Sequence, residues 1–266
     1  MYEALIDDVN SVALEKLEAS NKNTFNFFIA SIIAGFFIGF GCLLIFSISG
    51  QLGNTIFTKI AMAASFGIAL SLVVMAGSEL FTGNNFVLGV ALLSKKAKVK
   101  ETIKLWSICY LGNLIGSVLL SILFVGTGLN HIGGNATSDA TANALQHAAN
   151  LKMHGDFFNL FCKGILCNIL VCLAVLCSIK LKSESGKLIM IWWCLFAFNV
   201  IGFEHCVANM TILTSSLLAN HGSTLSIGGM FYNLFATSFG NLTGGLLVAI
   251  AYFGTVSKKY KLNYLK

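Results

Sequence analysis

No proline and no arginine occur in this 266-residue chain, and all seventeen of its basic residues are lysine. Without proline, any helix break must fall to glycine. The all-lysine usage reads as codon bias. Charge is scarce as well: 11% of residues are charged and 56% hydrophobic, whereas soluble domains carry about 25% charged residues. That excludes an ordinary soluble protein and points to a polytopic membrane protein. The net charge of +6 comes from loop lysines, so it reports topology and implies no nucleic-acid partner. Neither Cys-x-x-Cys nor His-Glu-x-x-His occurs, so no metal site and no cofactor is expected. Cys162, Cys167, Cys172 and Cys177 recur every five residues, which turns each by about 140° from the last on a helix. They cannot share a ligand face and read as small buried hydrophobes.

Apolar runs are what the chain does have. Six occur, at about 24–49, 58–94, 105–129, 156–179, 188–217 and 230–255. About 20 apolar residues suffice to cross a bilayer, so the second and fifth runs are long enough for two half-helices and a loop. Each is interrupted by the same pattern, GSELFTGN at 77–84 and GFEHCVAN at 202–209, placing Gly77, Glu79 and Asn84 in register with Gly202, Glu204 and Asn209. A carboxylate at membrane depth costs roughly 2.5–3.5 kcal/mol on insertion scales, so two at matched positions demand a reason. A glycine beside each offers a place to unwind the helix.

The echo extends further. YLGNLIGSVLL in the third run matches SFGNLTGGLLV in the sixth, and NFFIASIIAGFFIGF in the first loosely matches DFFNLFCKGILCNIL in the fourth. A duplicated unit with three crossings must be inverted in its second copy. The expectation is an all-α membrane protein of six transmembrane helices in two inverted three-helix repeats, the second and fifth helices broken. Residues 1–23 read as an amphipathic surface segment with no cleavable leader pattern. Residues 24–129 form the first repeat, 130–155 an extracytoplasmic loop, 156–255 the second repeat and 256–266 a tail. Fourteen of the seventeen lysines fall on one side; Lys59 and Lys152 lie on the other, and Lys163 is within the fourth helix. The positive-inside rule then puts both termini in the cytoplasm.

Broken helices leave backbone N–H groups unpaired at the positive ends of helix dipoles, which favours an anion. Thr82 can donate to it, and His205 could donate a hydrogen bond or a proton. Glu79 and Glu204 are expected to accept from the loose N–H groups and hold the breaks open. Lys152 could attract anions into a vestibule. Asn113, Asn168 and Asn241 read as amides joining helices. Leu80, Phe81, Phe198 and Phe203 flank the breaks and could form apolar constrictions.

Five motifs in order, AGSELFTGN, KGILCNILVCLAV, IWWCLFAF, GFEHCVANM and FGNLTGG, resemble the formate/nitrite transporter family from about residue 20 to 255. The resemblance implies an aquaporin-like fold in the inner membrane, assembled as a homopentamer with one pore per protomer for small monovalent anions. It places the family's central threonine at Thr82, its pore histidine at His205 and its vestibule lysine at Lys152. Its pore asparagines match Asn168 and Asn241, and its constrictions match Leu80, Phe81 and Phe198. The wording of GSELFTGN, Lys163-Gly164 and IWWCLFAF is most similar to the nitrite-channel branch. Open alternatives are a formate or hydrosulfide channel, a proton-coupled anion symporter and a water or glycerol channel. An intramembrane enzyme built on Glu204 and His205 is not expected.

Overall fold

A computed structural model describes residues 2–219 and 224–256; the tail after Val256 lies outside the described residues. Helix α1 (Tyr2–Lys22) buries Ile6, Val9, Ala13 and Leu17, an apolar stripe at helical spacing. The chain continues through α2 (Thr24–Leu52), α3 (Thr58–Ser65), α4 (Ile68–Met75), α5 (Phe81–Leu93) and α6 (Val99–Gly126). It then forms α7 (Ala136–Met153), α8 (Phe157–Lys180), α9 (Glu184–Ile201), α10 (Cys206–Leu218) and α11 (Ile227–Gly254). Among the described residues six spans are long and apolar enough to cross a membrane: α2, α3 with α4, α6, α8, α9 and α11. The molecule is an all-α, six-span membrane protein.

Helix starts follow side-chain caps. Asn23, Asp156, Ser183 and Ser226 each accept a backbone N–H from the first turn of α2, α8, α9 and α11, satisfying donors with no intrahelical partner. Two stretches differ from the sequence expectation. The segment 130–155, expected as a loop, contains α7, which opens on a reciprocal Asn135–Ser138 capping box and buries Ala142, Leu145, Ala149 and Met153. Helix α6 begins at Val99, ahead of the apolar run expected from about 105, and already buries Thr102 and Leu105.

Outside and inside are the reverse of a soluble protein. Leu111, Ile115, Leu119, Phe235, Phe239 and Ile250 are exposed, while Asn84, Asn113, Asn168, Asn209 and Asn241 are buried. Such a surface suits hydrocarbon, and the buried amides must find partners inside. The most extensive helix contacts are α8 with α11 and α2 with α6. Both rely on the Gly-Asn-Leu-x-Gly pattern. A Cβ on Gly116 would strike the Ile32 carbonyl and one on Gly244 the Ile165 carbonyl, so small residues let the backbones touch.

Candidate functional site

Helix α4 stops at Met75 and α5 starts at Phe81; α9 stops at Ile201 and α10 starts at Cys206. Gly77 and Gly202 turn the chain with φ of 77° and 89°, a left-handed region that favours glycine. The first N–H of each following helix is held by an asparagine from elsewhere. Phe81 N donates to Asn113 Oδ1 at 2.9 Å, and Asn113 Nδ2 donates to the Ser31 and Glu79 carbonyls at 2.7 and 2.9 Å. In the same way Cys206 N donates to Asn241 Oδ1 at 2.8 Å, and Asn241 Nδ2 donates to the Gly164 and Glu204 carbonyls at 2.8 and 2.9 Å. This corrects the role expected of the glutamates: the asparagines, not Glu79 and Glu204, take up the loose N–H groups. An amide has both a donor and an acceptor, so one side chain serves both strands of the turn; a carboxylate can only accept.

The two carboxylates instead bind cations. Glu79 accepts from Lys16 Nζ at 2.6 Å and from Asn84 Nδ2 at 3.0 Å. Glu204 accepts from Lys152 Nζ at 2.7 Å and from Asn209 Nδ2 at 2.7 Å. Lys16 comes from α1 and Lys152 from the last turn of α7, so each carboxylate is paired by a helix lying outside the six spans. Lys16 carried no signal in the sequence: 63 residues separate it from Glu79.

Thr82 Oγ1 and His205 Nε2 lie 2.9 Å apart, joining the two motifs. His205 Nδ1 accepts the Ala208 N–H at 3.1 Å as the cap of α10. A neutral ring with one accepting nitrogen carries its proton on the other, so Nε2–H donates to Thr82 Oγ1. The threonine hydroxyl proton is then free for a third group. Asn168 stands behind this pair, donating to the carbonyls of Thr82 and Asn241 at 3.2 and 2.6 Å.

Three cavities lie in series. One of about 490 Å³ on the α7 side is lined by Lys152, Phe203, Glu204 and His205. One of about 330 Å³ on the α1 side is lined by Lys16, Glu79, Leu80 and Asn84. Between them a space of only about 10 Å³ is lined by Ile38, Phe66, Leu70, Leu80, Phe198 and His205, among others. It shares Phe66, Phe198 and His205 with the first vestibule and Leu70 and Leu80 with the second. Of the four constriction candidates, Leu80 and Phe198 line the narrow space, and Phe203 lines the α7-side vestibule. Phe81 packs edge-on against Tyr110 at 5.1 Å, on the side of α5 facing α6. Phe66 was missed by the sequence reading; it meets Phe198 edge-on at 5.6 Å.

The junction of α3 and α4 positions Phe66. The Ala64 carbonyl there accepts the Trp192 indole N–H at 2.7 Å, and the Gly67 carbonyl accepts the Ser71 hydroxyl at 2.8 Å. Trp192 lies so close to Gly67 that a Cβ there would sit 2.6 Å from its ring. The Gly67 carbonyl also keeps the Ser71 N–H at 3.2 Å, so it is at Ala64 that a side-chain donor, Trp192, takes the place of a backbone partner at the break, as hydrocarbon surroundings require.

Six spans around a narrow passage between two vestibules fit a membrane channel or transporter. The formate/nitrite transporter family model matches residues 3–254, and the chain belongs to that family. It is 35% identical over 253 residues to the nitrite transporter NirC of Escherichia coli strain K12, covering 94% of this chain and 90% of that protein. Among solved structures it resembles an "FNT family ion channel" with a TM-score of 0.88 at 32% identity, over 96% of this chain and 99% of the other. A pentameric formate channel with formate bound matches with a TM-score of 0.75 at 27% identity, over 93% of this chain and 100% of the other.

Proposed function

We propose that each protomer conducts a small monovalent anion, with nitrite the first candidate, along the line of the three cavities. The observation that carries this reading is the serial arrangement itself: two vestibules with charged linings meet at a narrow, mainly apolar neck lined by His205, whose ring is hydrogen-bonded to the buried Thr82 hydroxyl behind it. A hydrated ion does not enter so small an apolar space without shedding water. The free Thr82 hydroxyl proton and the positive ends of α5 and α10 offer the replacement interactions. His205 contributes by fixing the direction of that hydroxyl, a narrower role than donating a proton to the solute.

The anion class is supported by the relatives, one described as a nitrite transporter and another as a formate channel. The matched hydrogen bonds of Glu79, Asn84 and Asn113 with those of Glu204, Asn209 and Asn241 support two inverted three-helix units, 24–129 and 156–255, in an aquaporin-like arrangement. We further propose a homopentamer in the inner membrane with the α1 side cytoplasmic, resting on the lysine distribution and the pentameric relative. A selectivity series tests the function: purified protein in liposomes is offered nitrite, formate, hydrosulfide and, separately, glycerol. Anion flux with nitrite fastest is expected. Glycerol flux without anion flux would overturn the reading.

A further inference from the structure

The α7-side vestibule is lined by three lysines, Lys59, Lys152 and Lys163, and two carboxylates, Asp156 and Glu204. These charges are not equivalent. Lys152 is bound to Glu204 at 2.7 Å and both are largely withdrawn from solvent, their side chains 17% and 8% exposed. At any distance longer than the pair itself, that ion pair presents a small dipole rather than a charge. Asp156 accepts the Asn159 N–H at the start of α8 but keeps its charge, so against the two remaining lysines the vestibule carries a net surplus of one positive charge. Lys59 and Lys163 are exposed, and among the described residues neither has a carboxylate within 4.0 Å.

The opposite vestibule differs. The charged residues lining it are Lys16 and Glu79, and they neutralise each other at 2.6 Å. One mouth of the passage therefore carries a surplus of positive charge and the other does not.

We propose that Lys59 and Lys163 form an anion-collecting site in the α7-side vestibule, and that they, rather than the neutralised Lys152, supply its attraction for small monovalent anions. Two unpaired ammonium groups on low-dielectric walls focus the field and raise the local anion concentration. The site acts on capture and not on passage, because neither lysine lines the narrow space between the vestibules. It makes uptake from the α7 side sensitive to ionic strength, since charges facing water are screened beyond about 10 Å at 0.1 M salt. This inference rests on the anion-pathway reading above.

The test uses the full-length protein in planar bilayers, with Lys59→Gln, Lys163→Gln and the double substitution, and with Lys59→Arg and Lys163→Arg as charge-preserving controls. Nitrite and formate are the probes, added to one face at a time at low and at high ionic strength. At low ionic strength and subsaturating anion, the double glutamine variant is expected to lose about two- to tenfold in current from the α7 side. Current at saturating anion, current driven from the α1 side and thermal unfolding should be unchanged, and the arginine variants should behave as wild type. An unchanged current from the α7 side overturns the inference, as does an equal loss from both faces or a loss that persists at saturation. If the wild-type protein passes no anion, the pathway reading falls and this inference falls with it. If wild type conducts and the variants match it, only this inference fails.

Discussion

The Thr82 hydroxyl is the smallest unit on which the proposed activity depends. His205 Nδ1 is committed to capping α10, so its Nε2–H fixes Thr82 and leaves one donor for a solute. Thr82→Val keeps the shape and removes that donor. Anion flux in liposomes is expected to fall at least about tenfold, the scale set by losing one well-placed hydrogen bond at a desolvated point. The unfolding midpoint should drop as well, since the buried His205 Nε2–H loses its acceptor at a cost of about 1–3 kcal/mol. A second residue-scale test concerns the asparagines. Asn241→Ala leaves the Cys206 N–H and the Gly164 and Glu204 carbonyls without their partner. It should destabilise the protein by about 1–3 kcal/mol per unsatisfied group, read as a lower unfolding midpoint in detergent. Asn113→Ala should behave alike. Thr82, His205, Asn168 and Asn241 stand in motifs that repeat or resemble a family, which is why the sequence singled them out. The structure joins them by hydrogen bonds, while the two asparagines line none of the three cavities. The division of labour between amide and carboxylate was not, because sequence spacing cannot tell which side chain reaches a given N–H. Lys16 was hidden for the same reason, since it meets Glu79 only through the docking of α1.

Among the elements, the α3–α4 junction has the clearest consequence. Trp192 donates to the Ala64 carbonyl, and the same junction carries Phe66 to the face of Phe198. Trp192→Phe keeps an aromatic ring beside Phe196, with which Trp192 stacks at 5.1 Å, and deletes the N–H. The neck should loosen, so that a larger anion such as lactate gains flux relative to nitrite, measured as a ratio in the same liposomes. An unchanged ratio would place the Trp192 bond outside the control of the neck. The apolar runs announced the six spans because hydropathy is a property of the local sequence. Phe66 was not distinguishable, being one of 22 phenylalanines. Helix α7 was concealed by its polar composition; only its cap and the spacing of Ala142, Leu145, Ala149 and Met153 betray it.

For the whole molecule, the matched hydrogen bonds around the two motifs argue for halves of opposite orientation, and three crossings per half return both termini to one face. Accessibility labelling should find single cysteines placed near Tyr2 and near Val256, in a background with the native cysteines replaced, reactive from the same side of sealed vesicles. Reaction from opposite sides would refute the six-span count. The central claim is that an anion passes through the protomer between the two vestibules. The most direct measurement is the reversal potential of currents through purified protein in a planar bilayer under a nitrite gradient, with the proton gradient varied independently. The account requires a reversal potential that follows the nitrite gradient alone, with the current lost in Thr82→Val. A reversal potential that shifts with the proton gradient at fixed nitrite, or no current above the bare bilayer, would contradict it.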